Sequence, residues 1–135
     1  MSHRDCQILC GLFLSKFDQE GLEYLGFSGF SEAFNAIGYS LNAKPASIKN
    51  YRDEIDPFFP NPRKGWHKRP LREHCHRVLD AYKDADLGQL GELIKAFLLP
   101  AWETESMPEI KRILDTHCSE ASSSFAKRLI TGKAA

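Results

Sequence analysis

The chain is 135 residues long, 42% hydrophobic and 27% charged, with 18 basic side chains balancing 18 acidic ones. That length and mix suit one globular domain with its own core, and exclude a disordered or low-complexity chain. No apolar run approaches the ~20 residues that span a bilayer, and no signal-peptide pattern follows Met1. A cytoplasmic protein is therefore expected, with Cys6, Cys10, Cys75 and Cys118 as reduced thiols.

Nearly every segment reads as helix. Ser2 and Asp5 form a capping pattern before a helix with Leu9, Phe13 and Phe17 along one face. Asp18 stands where it would cap a short second helix that stops at Gly26. Ser31 is expected to cap a third, with Phe34, Ile37 and Leu41 inward. Pro45 suits the first turn of a fourth, which ends near Asp56. Pro57, Pro60, Pro62 and Pro70 exclude a helix across 57–70 and favour a stiff, extended arm. Beyond it, Leu71, Cys75, Val78, Leu79 and Tyr82 define one helical stripe. Asp86 caps another, with Leu90, Leu93, Ile94, Phe97 and Leu98 inward. Ser106 and Glu109 repeat the capping pattern before Ile110, Ile113 and Leu114, and the serine-rich tail 119–135 is expected to be partly helical. The fold class is all-α. A compact helical bundle over 1–118 contains a helix-turn-helix-like unit at 31–56 and an extended, basic, proline-rich arm at 57–72.

The balanced net charge hides an asymmetry. Met1–Ala43 carries 2 basic and 5 acidic residues, Lys44–Arg77 carries 9 and 4, and Val78–Ala135 carries 7 and 9. Only the middle stretch is basic, and local charge decides what a surface attracts. It begins inside the helix-turn-helix. Asn42 occupies the turn position that needs a positive φ, which asparagine tolerates better than other non-glycine residues. Ala43 is the small inward turn residue, and Ala33 permits a close helix crossing. Ile48, Tyr51 and Ile55 hold the second helix to the core, while Ala46, Ser47, Lys49, Asn50, Arg52 and Asp53 face out. Lys44, Ser47, Lys49, Asn50 and Arg52 are residue types that reach phosphates and base edges, and the start of such a helix enters the major groove. The bland alternative is an amphipathic helix with a solvated face.

The arm weighs against that alternative. Its PFFPNPRKGWHKRPLR stretch carries Arg63, Lys64, Lys68, Arg69 and Arg72 and no acid. Trp66 and His67 add a stacking or wedge surface, although Trp66 is better placed to cover the bundle. A stiff basic segment beside a helix-turn-helix suits phosphate or minor-groove contacts with double-stranded DNA.

Metal and catalytic readings are weaker. His74 and His76 point in different directions on a helix, Cys6 and Cys10 suit a packed face, and no CxxC pair occurs. Glu109-Ile110-Lys111 is a chance-level E-x-K within a predicted helix, and no phosphate-binding loop or nucleophile elbow is present. No cofactor, metal ligand or catalytic residue is assigned.

LFLSKFD, GFSGFSEAFNAIGYSLNAKPASIKNYRDEIDPFFPNPRKGWHKRPLR and LGQLGELIKAFL together resemble a helical module at the N-terminus of bacterial restriction endonucleases, often of the HNH type. The resemblance covers about Ile8–Leu99 and is most specific in IKNYRDEIDPFFPNPRKGWHKRPLR. REHCHRVLDAY departs from that pattern, which has a second proline and fewer histidines there, so the end of the arm stays open. The resemblance implies a non-catalytic recognition part that reads a DNA sequence or modification for a nuclease domain or subunit. A helical adaptor that docks an effector protein is the alternative.

Overall fold

The computed structural model describes residues 2–60 and 71–103, with side chains to Leu98. Five helices account for most of these residues: α1 (His3–Leu25), α2 (Phe30–Ser40), α3 (Pro45–Ile55), α4 (Glu73–Tyr82) and α5 (Leu87–Glu103). A short 3₁₀ turn, Asp56–Phe58, follows α3. The protein is all-α, and the described residues contain no strand. The expected helix after Ser106 and the tail 119–135 lie outside the described residues.

α1 is the hub, packing against α3, α4 and α5, with α2 laid across α3 and α5. Its ILCGLFLS stretch, Ile8 to Ser15, is buried on every side rather than along the one expected stripe. A helix that is apolar all round belongs inside, and this one is. Ser2 starts it, its hydroxyl accepting from the Asp5 N–H at 3.1 Å. Asp18 breaks it with φ 51° and ψ −126°, and Gly26 ends it at φ 82°. The Phe27 N–H then reaches back to the Leu22 carbonyl at 2.8 Å, the closing bond of a left-handed helix end. Ser31 does not cap α2. The cap is Gly29, and Glu32 in the first turn reaches back to the Ser28 N–H and hydroxyl instead. Asp86 and Gln89 exchange side-chain bonds with each other's backbone N–H at 2.8 and 2.9 Å, a reciprocal cap for α5.

The crossing of α1 and α3 is set by an absent side chain. A Cβ placed on Gly11 meets Tyr51 Cβ at 2.7 Å and the Arg52 backbone nitrogen at 2.8 Å. Only glycine lets the two backbones come this near. In an unconstrained helix interior Gly→Ala stabilises by about 1 kcal/mol. Here the sign reverses: Gly11→Ala is expected to lower stability by about 1–3 kcal/mol, the range for an overpacked core. Urea unfolding of the two proteins measures it, and an unchanged or higher midpoint would contradict this crossing.

Candidate nucleic-acid interface

α2, its turn and α3 form the helix-turn-helix-like unit. Phe34, Ile37 and Leu41 are buried along α2, as are Ile48 and Ile55 along α3, while Tyr51 is half-buried. Asn42 takes φ 52°, and the Ala43 N–H donates to the Gly38 carbonyl at 2.8 Å to close the turn. A side chain at Gly38 would strike the Ala43 carbonyl oxygen at 2.7 Å. The His3 ring donates from Nε2 to the Leu41 carbonyl, tying the start of α1 to the same corner. Lys44, Pro45, Ala46, Lys49 and Asn50 are exposed, and Ser47 is half-buried beside them. The start of α3 thus presents two lysines, an asparagine and a serine on a rigid element, with no acid in its first turn.

Arg52 is the correction. It was expected to face outward, and it is only 7% exposed. Its guanidinium lies over the rings of Phe30 and Phe34, 4.7 and 5.0 Å from their centroids. It also donates to Asp53 at 2.8 Å, and Asp53 in turn faces Lys49 at 3.5 Å. Arg52 therefore cements α2 to α3 by cation–π stacking and a short ion pair. The spacing contained the signal: Ile48, Arg52 and Ile55 stand at i, i+4 and i+7 on one stripe.

Of the arm, Arg63, Lys64, Trp66, His67, Lys68 and Arg69 lie outside the described residues; its two ends do not. At the first, buried Asp56 accepts from the buried Ser15 hydroxyl at 2.6 Å, and Pro57 and Phe58 belong to the 3₁₀ turn rather than to an extended arm. At the second, Arg72 precedes α4 and holds Glu54, whose side chain is 3% exposed. The contacts are guanidinium to carboxylate at 2.6 and 2.8 Å and backbone N–H to carboxylate at 3.1 Å. Arg72, expected to serve DNA, anchors the return of the chain while its side chain stays 48% exposed, its guanidinium 5.4 Å from the Tyr51 ring centroid. Sequence reasoning missed Glu54 altogether. A carboxylate three residues past Tyr51 gives no sign of burial until its distant partner is known.

This anchor organises the local protonation. Burial alone would raise the Glu54 carboxyl, but the Arg72 hydrogen bonds outweigh it and hold the carboxyl below its ordinary 4.5. Burial, helped by Glu54, pushes the Cys75 thiol up to about 12. Burial and the nearby Arg72 and Arg4 charges hold His74 below its ordinary 6.5, and its Nε2 is enclosed with no hydrogen-bond partner among the described residues. His76 instead points out to Asp80 at 2.9 Å, so the His-Cys-His run diverges as helical geometry requires. Cys6, Cys10 and Cys75 are free thiols. Among the described residues no three His, Cys, Asp or Glu side chains are grouped to hold a metal, and no helix is long and apolar enough to cross a membrane.

Comparison of the chain with protein families, with curated proteins and with solved structures yields no match.

Two depressed groups give stability a defined acid limit. A lowered folded-state value means that the unfolded chain binds the proton more readily, so stability is complete above the ordinary value and falls as pH drops. The loss begins below about 6.5 through His74 and deepens below about 4.5 through Glu54. His74→Gln is expected to abolish the upper part of the decline in melting temperature and Glu54→Gln to shrink the lower part. A wild-type curve flat from pH 7 to 5 would contradict the placement of His74.

Proposed function

We propose that the chain is a DNA-binding module that lays the start of α3 in the major groove. The observation that carries this reading is the set of exposed Lys44, Lys49 and Asn50 with half-buried Ser47, displayed on a helix whose opposite side is locked by Ile48, Arg52 and Ile55. Side chains held on a rigid element are the ones that read base edges, whereas cations on irregular backbone meet phosphates. In this reading Arg63, Lys64, Lys68 and Arg69 meet phosphates, with Trp66 and His67 near them in sequence. The resemblance to the leading module of HNH-type restriction enzymes supports a recognition part of a bacterial restriction or defence system. Catalysis is then supplied by a separate nuclease domain or subunit.

A docking reading has one specific observation in its favour. Phe58 is 52% exposed and borders a cleft of about 380 Å³ with Phe59, Leu79 and Lys83. An adaptor that uses this aromatic edge would bind with little dependence on salt, whereas contacts to many phosphates weaken steeply as salt rises.

Titration with duplex DNA at two salt concentrations separates the two. Asn50→Ala is expected to relax preference among duplexes by about 1–3 kcal/mol with melting temperature unchanged. Lys64→Ala is expected to weaken every duplex alike and reduce the salt slope by about one. Arg52→Ala is expected to lower melting temperature first, because it removes the cement between α2 and α3. Undiminished affinity in both Asn50→Ala and Lys64→Ala would refute DNA binding.

A further inference from the structure

At the start of α3, the turn from α2 borders an open cleft of about 380 Å³ lined by Asn35, Gly38, Tyr39, Asn42 and Lys44. Its polar residues are two asparagines, a tyrosine and a lysine, and no acidic residue lines it. These polar groups, set in a largely apolar wall, disfavour cations and suit a compact anion with several acceptor oxygens. Asn42 and Lys44 are both exposed. Asn35 gives one amide hydrogen to the Ser31 carbonyl at 2.9 Å, which steadies the side chain and leaves its second hydrogen to donate. The three come from α2, the turn and the residue before α3, so the cleft is fixed to the unit that carries Ser47 and Asn50.

We propose that this cleft seats one backbone phosphate of the duplex, gripped by the Lys44 ammonium and by the Asn35 and Asn42 amides. It thereby sets the depth and register at which α3 enters the groove. The inference rests on the DNA-binding reading and adds to it a particular phosphate and two asparagines. A cleft joined to α3 selects the phosphate at a fixed offset from the bases that Asn50 reads.

The test uses a duplex selected by the full chain from a random library, remade as a set in which each phosphate in turn is an uncharged methylphosphonate. The chain, Lys44→Gln and Asn42→Gly are titrated against the set; glycine keeps the left-handed turn while removing the amide. The expected result is one position whose methylphosphonate weakens the unmodified chain about tenfold and leaves Lys44→Gln unaffected. Asn42→Gly should show a reduced penalty at the same position, and Lys44→Gln a salt slope smaller by about one. Melting curves of the variants should match that of the unmodified chain. If Lys44→Gln keeps every penalty while Asn50→Ala still relaxes sequence preference, the cleft inference fails and DNA binding stands. If no methylphosphonate and no Asn50 substitution changes binding, both fail.

Discussion

The outer face of α3 depends on how closely its inner face approaches α1. At Gly11 the two backbones come within the space that one methyl group would fill. A helix held at that distance has little freedom to roll or slide, because any rotation drives Tyr51 or the Arg52 backbone into α1. The same approach brings Ser15, one turn further along α1, to Asp56 at the end of α3. Position and register of the presenting helix are thus settled by a close crossing at one end and a buried hydrogen bond at the other.

Around that crossing the core admits an unusual density of charge. Arg52, Glu54 and Asp56 are all buried within five residues of one another, and each has partners. Buried polar groups stabilise a fold only when their hydrogen bonds are complete, and otherwise cost more than an apolar replacement. What they add is discrimination. Phe30 and Phe34 accept a cation from one direction, and Glu54 is satisfied by the guanidinium and backbone N–H of one residue, so alternative packings of α3 leave a charge stranded. The outward side chains of α3 are only as well fixed as its inward ones are determined.

Much of this was legible from spacing. The left-handed turn at Asn42, the buried Ile48 and Ile55, the break at Asp18 and the cap at Asp86 follow from local rules of φ preference and periodicity. Those rules act over a few residues, and a sequence displays such neighbours directly. The misreadings share a different cause. Arg52 was assigned by residue type to a solvated, DNA-facing role but is claimed by aromatics on α2, and Glu54 went unseen because its partner Arg72 lies 18 positions later. Ser31 does not cap α2 because Gly29 already begins the helix, and Glu32 holds the preceding Ser28. Long-range partners decide whether a charge goes inward, and one chain read in order does not reveal them.

The two anchors at Asp56 and Arg72 also separate two kinds of change. Both ends of the connecting segment are gripped by the bundle, through Ser15 and Glu54, before any residue between them is considered. Closing a loop between fixed ends depends only weakly on its length, about 0.6 kcal/mol for each doubling. Phe59 and Leu71 pack against the core, so substitutions there disturb the helices, whereas a change in the segment's length alters closure only slightly. The position of the segment's two ends is thus set by the bundle, through Ser15 and Glu54, and not by the residues between them.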